Sequence, residues 1–402
     1  MTRRVLGRPA SFLTAAAIVA HTIWTSAAPA LSYPLYARQW HLTTFTTTAI
    51  FAIYPVFVVV VLVLFGNLSD YIGRREAMLA GLAFSAAGSL IFAIAPDVDW
   101  IFLGRALMGV GVGLSAGPSA AAVVEFSPPH RVGQAGSATA AAQGFGMMAA
   151  SLVGGALIQY APLPLRLNFA VLTAVLVGLI AVTWFMPNHT ASPAAGRWRP
   201  KVPSIPKGVF AVFVASTAAV TGSYVLGAMT LSLGAQVAHD VVASSNALVN
   251  GGTIALFALA SALATVPARK LAAGRVILSG GVTAIVSSAL LALAAIEHSL
   301  SLYMLAQFSA GAAYSWLLLG GLTLINAHLP VTHRAATLSA LFLVAYLAQA
   351  VVALSLGKIA TFYGLTTAVD IGVATIAVLA LVTLLLDLVR QRTVLKRSGK
   401  AL

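Results

Sequence analysis

Charged and titratable side chains are scarce in this chain, so their positions are informative. Arg105 falls inside a long apolar run, followed at intervals of four by Gly109, Gly113 and Gly117. A guanidinium at membrane depth is costly to bury unless a cavity or partner receives it, so it marks a candidate functional position. The plainer alternative is an arginine snorkelling to the interface near Trp100. The segment Gly66-Asn67-Leu68-Ser69-Asp70-Tyr71-Ile72-Gly73-Arg74-Arg75 sets a carboxylate four residues before a guanidinium pair. Such groups can pair with neighbouring helices, and Gly66 and Gly73 allow a tight turn. Glu125 closes the Arg105 run, and Arg131 follows in the loop beyond it. His21 sits near the middle of the first apolar run, with Trp24 and Thr25 at helical spacing. Its ring titrates near neutrality and can carry a proton, or it can simply bond between helices. The other mid-run polar or aromatic residues are Tyr54, Gln143, Tyr224, Asn250, Gln307, Tyr314, Trp316, Tyr346 and Gln349. With Arg105 as the fixed charge, they suggest a weakly polar aromatic pocket for an amphipathic or anionic solute.

The elements that must position these residues are apolar. Of 402 residues, 60% are hydrophobic and 8% charged, against about 25% charged in soluble domains. A helix of about 20 apolar residues spans the hydrocarbon core. Twelve such runs are read, at 11–33, 44–65, 77–95, 100–123, 135–158, 167–186, 208–233, 245–267, 276–295, 301–325, 336–356 and 367–389. They lack the alternation of a barrel. The expected fold is therefore an all-α integral membrane protein, with Pro29, Pro55 and Pro118 tolerated inside helices. The first run, preceded by Arg3, Arg4 and Arg8, also resembles a signal peptide, but it is long enough to span.

The net charge of +14 would raise the question of nucleic acid. If the N-terminus is cytoplasmic, 19 of the 23 lysines and arginines fall on the cytoplasmic side and three on the other. The positive-inside rule predicts that excess, so no nucleic-acid partner is needed. Both termini are expected in the cytoplasm. Residues 188–207, with prolines and basic residues, read as a linker between a bundle at 1–187 and one at 208–402.

The halves repeat. Gly73-Arg74 matches Gly274-Arg275 at an offset of 201, Gly109 matches Gly311 at 202, and His130-Arg131 matches His333-Arg334 at 203. A drift of one residue per segment is what small loop insertions produce. The twelve transmembrane helices are expected as two six-helix bundles related by pseudo-two-fold symmetry. With no cysteine, thiolate chemistry is ruled out. No phosphate-binding loop or zinc spacing occurs, so no catalytic residue, cofactor or metal is expected.

Residues 66–75 resemble the loop signature of the major facilitator superfamily, and Arg105 with its glycines resembles that family's pattern in the fourth helix. The resemblance implies secondary transport by alternating access, with Asp70, Arg74, Glu125 and Arg131 as a latch on the cytoplasmic face. It resembles the bacterial drug/proton antiporter branch, implying proton-coupled efflux of a small amphipathic solute across the inner membrane by a monomer. Uptake or facilitated diffusion of a sugar or organic acid is the alternative. A membrane enzyme or transporter-like sensor would need clustered catalytic groups or an added soluble domain. The sequence departs from the pattern in three places. Tyr71 stands where a basic residue is usual, and Leu271 stands where a second Asp70 would be. Ala150-Ser151 replaces Gly-Pro in the fifth run, before Gly154-Gly155. All nine acidic residues lie at or near run ends.

Overall fold

The computed structural model describes residues 5–128, 135–188, 198, 204–206, 208–329 and 334–397, and no strand occurs among them. Eleven of their helices are long and apolar enough to cross a membrane. These are α1 (Arg8–Ala27), α3 (Thr44–Phe65), α5 (Arg74–Ile94), α6 (Val98–Phe126), α7 (Ala135–Tyr160), α9 (Phe210–Ser232), α11 (Ala247–Ala268), α12 (Ala273–Ile296), α13 (Leu300–His328), α14 (Arg334–Tyr363) and α15 (Leu365–Arg397). The twelfth expected span is α8 (Leu167–Thr183), apolar but only 17 residues long, or about 26 Å of rise. Short helices α2 (Tyr33–Gln39), α4 (Ser69–Ile72) and α10 (Gly234–Gln236), with a π-helical turn at Val237–Val241 after α10, complete the set.

Local chemistry explains the helix ends. Thr43, Asp97 and Ser299 cap α3, α6 and α13 by accepting bonds from backbone N–H groups of the first turn. Pro55 and Pro118 lie inside α3 and α6 as expected. Pro29 does not. The first run, read as one helix to residue 33, stops at Ala27. Proline lacks the N–H that would continue the ladder and crowds the carbonyl four residues back. The chain turns instead, with Ala30 N–H donating to Ala27 O and Ser32 N–H to Pro29 O, and α2 begins.

The side chains are sorted for a lipid surround. Phe84, Leu90, Val286, Val378 and Leu385 face outward, while Ser85, Ser89, Ser115, Ser119 and Ser216 are fully buried. Small residues at the seams let helix backbones come close, which is what drives packing when the solvent is itself apolar.

Two compact units result: Met1–Lys201 with Asn246–Ala255, and Val202–Ser245 with Leu256–Leu402. In the first, α6 packs on α5, α3 and α1, α7 on α1, and α8 on α5. In the second, α13 packs on α12 and α9, α14 and α15 pack on α9, and α15 on α12. The repeat has a physical counterpart. A Cβ on Gly109 would sit 2.7 Å from Tyr54 O, and one on Gly311 would overlap Phe257 O. The matched glycines each admit a neighbouring helix backbone. Gly311→Val is therefore expected to push α13 off α11 and destabilise the protein by about 1–3 kcal/mol, read as a lower melting temperature in detergent. An unchanged melt would show that the seam has slack.

Candidate functional site

The first cluster forms where α4, α5 and α6 end or begin. After α3, Gly66 starts a turn, and α4 closes at Gly73, whose φ of +97° suits glycine. A side chain there would also overlap the Asn188 amide. This turn points Arg74 at two carboxylates. Its Nη1 donates to Asp70 Oδ1 at 3.1 Å and to Ser69 Oγ at 2.8 Å, and its Nε donates to Glu125 Oε1 at 3.3 Å. The structure thus joins Asp70, Arg74 and Glu125. Arg75 turns aside, pairing with Glu76 and donating to Met186 O at 3.3 Å. Arg131, with the linker residues 189–197, 199–203 and 207, lies outside the described residues.

Two residues not picked from the sequence brace this cluster. Arg8 donates to the last carbonyls of α6, at 3.3 Å to Phe126 O, 3.2 Å to Glu125 O and 2.7 Å to Ser127 O. Cations are favoured at a helix C-terminus, where carbonyls lack partners. Trp198 stacks on Phe65 at 5.4 Å and donates to Asn67 Oδ1 at 3.1 Å. A basic residue before a first helix is too common a feature to have flagged Arg8.

Arg105 does not snorkel. It is 0% exposed and donates to Thr25 O at 3.2 Å and Ser26 O at 3.0 Å. These bonds answer a need set by Pro29. The helical partner of Thr25 O would be the N–H of residue 29, which proline lacks. The partner of Ser26 O would be the N–H of Ala30, which bonds Ala27 O instead. Arg105 supplies both missing donors from α6. Its guanidinium carbon lies 4.4 Å from the centre of the Tyr54 ring, within cation–π range. Arg8 and Arg105 therefore tie opposite ends of the α1–α6 pair, each to the C-terminal carbonyls of the other helix.

His21 and Trp24 come together elsewhere in the first unit. They line a cavity of about 450 Å³ between α1, α7 and α8, with Phe12, Ala16, Ala17, Ala20, Ala138, Ala141, Ala142, Phe145, Val175 and Leu179. Gln143 is exposed on α7, and Asn250 is buried in α11. In the second unit Tyr224 meets Tyr346 edge-on at 4.8 Å, with Phe342 6.2 Å from Tyr224. Tyr314 packs on Phe257 at 5.5 Å, Trp316 donates to Ala264 O at 2.8 Å, and Gln349 is buried. Gln307 accepts from Thr230 at 3.2 Å and donates to Tyr303 OH at 2.8 Å, whose own proton goes to Gly234 O at 2.9 Å. That chain satisfies a carbonyl where α9 gives way to α10. Asp387, expected near a run's end, is buried within α15 and accepts from Arg390 at 2.7 Å.

The comparison with known families decides the identity. A model of the Major Facilitator Superfamily matches residues 13–291, more than half of the chain. The chain belongs to the Major Facilitator Superfamily. Its eleven candidate spans among the described residues fit a multi-pass membrane protein of that superfamily. Among its relatives is a proton myo-inositol cotransporter of Caenorhabditis elegans, 33% identical over 26% of this chain and 18% of the relative. Another is the multidrug resistance protein MdtH of Yersinia enterocolitica, 25% identical over 46% of this chain and 45% of the relative. This superfamily chain thus spans less than half the length of the curated relatives it matches. The crystal structure of a bacterial homolog of the human lysosomal transporter Spinster superposes with a TM-score of 0.72 at 16% identity, covering 97% of this chain and 98% of that one. At that identity the likeness speaks for the fold.

Proposed function

We propose that this superfamily member exports small amphipathic compounds in exchange for protons, by alternating access, as a monomer in a bacterial-type cytoplasmic membrane. Both termini face the cytoplasm in this reading, following the placement of its basic residues. The observation that carries the mechanism is Arg74 bonded at once to Asp70 and Glu125. Half-exposed ion pairs are worth about 0.2–1 kcal/mol each. A latch made of them is strong enough to bias one state and weak enough to break each cycle. The aromatic and uncharged side chains around Tyr224, Phe342 and Tyr346 suit an amphipathic solute. His21 is the imidazole of α1, a group whose ordinary titration lies near neutrality, and it serves as proton carrier in this reading. A second reading, uptake of a polyol or sugar, draws on the myo-inositol relative.

Purified protein in liposomes with an imposed pH gradient distinguishes the two. Radiolabelled chloramphenicol is expected to accumulate against its gradient, and collapse of the pH gradient should stop it. Accumulation of myo-inositol without chloramphenicol movement would replace export by the second reading. In the same assay His21→Ala is expected to leave downhill flux and remove the pH-driven component. Retained coupling would take the proton role away from His21.

A further inference from the structure

We propose that the cavity between α1, α7 and α8 binds an uncharged lipophilic molecule carrying a hydroxyl or amide group. This names the solute class of the proposed carrier and rests on that reading. His21 is 2% exposed, and its Nδ1 bonds to Ile18 O. A carbonyl only accepts, so Nδ1 carries the proton and Nε2 of the neutral ring is left as an acceptor. Trp24 Nε1 is a donor only. Neither His21 Nε2 nor Trp24 Nε1 has a partner among the described residues. A buried donor or acceptor left without a partner in an apolar surround is unfavourable. The two residues are three apart on one helix, share its face, and line the same cavity.

The pair therefore offers one acceptor and one donor in an otherwise apolar slot. A hydroxyl, or the N–H and C=O of an amide, satisfies both. A carboxylate accepts but cannot donate, an ammonium donates but cannot accept, and among the described residues no acidic side chain lines the slot. An acyl chain would fill the space and leave both nitrogens unpaired. The volume of about 450 Å³ is within the roughly 300–1,000 Å³ of small-molecule sites. The space is kept open by construction. Gly146 packs against the Ala20 carbonyl, while Ala16, Ala17, Ala138 and Ala142 leave the neighbouring stretch of α1 and α7 unfilled.

The test is photolabelling of the purified full chain in lipid nanodiscs. The probes are trifluoromethylphenyldiazirine bearing a hydroxymethyl group and the same diazirine without it. The alcohol is expected to label peptides spanning 12–24 and 138–145, and the hydroxyl-free probe at least ten-fold less, ten-fold corresponding to ~1.4 kcal/mol. Trp24→Phe and Ala142→Leu should each cut alcohol labelling by a similar factor while the melting profile stays cooperative. Equal labelling by both probes would overturn the proposal, since the slot would then accept any apolar molecule, lipid included. So would alcohol labelling not enriched at these peptides. Labelling reports occupancy without transport, so enriched labelling in protein that moves no solute in liposomes would sink the carrier reading and leave the site standing.

Discussion

Arg105→Ala is expected to cost about 3–5 kcal/mol of stability, because two charge-assisted hydrogen bonds of ~1.5–3 kcal/mol each are lost and two buried carbonyls lose their donors. Transport should fall to background with it. The carbonyls concerned are Thr25 O and Ser26 O, and their need for an outside donor traces to Pro29. Arg105→Lys keeps the charge but cannot fork between two acceptors, so it should recover only part of the loss. The decisive arm is a second substitution. Pro29→Ala restores a backbone N–H four residues beyond Thr25, and in the Arg105→Ala background it should return part of the lost melting temperature. If Arg105 instead acted by meeting a solute's charge, Pro29→Ala would rescue nothing. A rescue that restores folding but not transport would assign Arg105 both roles.

That pairing also shows what a sequence conceals. The apolar runs were legible because a hydrocarbon core demands about 20 apolar residues in a row and a fully bonded backbone. Pro55 and Pro118 could be passed over on the same ground. Pro29 could not be told from them, since the carbonyls that its missing N–H leaves open are met by a guanidinium about 80 residues away. Its partners are main-chain oxygens, which have no residue type to recognise. The same holds for Arg8, whose bonds among the described residues go to carbonyls at and just beyond the end of α6. Asp70, Arg74 and Glu125 were legible because both carboxylate bonds of Arg74 run between charged side chains at spacings a helix end can bring together. Arg75 followed the same logic and turned elsewhere. Adjacent Glu76 and the Met186 carbonyl offered it nearer partners. His21 and Trp24 were found as neighbours on one helix face. The alanines of α7 that complete their cavity carry no signal of their own.

The latch yields the second large effect. Arg74→Ala is expected to slow turnover more than either Asp70→Asn or Glu125→Gln, because Arg74 is the donor to both carboxylates and to Ser69. Stability should change little, since half-exposed pairs contribute about 0.2–1 kcal/mol each. Solute binding should persist, which separates a gate from a binding site. The two carboxylate variants should not be independent. Once Asp70→Asn has loosened Arg74, the guanidinium can settle on Glu125, so removing Glu125 then costs more than it did alone. A double-mutant cycle on turnover would then show a coupling of about 0.5–1 kcal/mol, typical of neighbours sharing one partner. Additive effects would mean that the two carboxylates act in different steps. Wild-type turnover in Arg74→Ala would mean that the cluster merely shapes the turn between α3 and α5, a task left to Gly66 and Gly73.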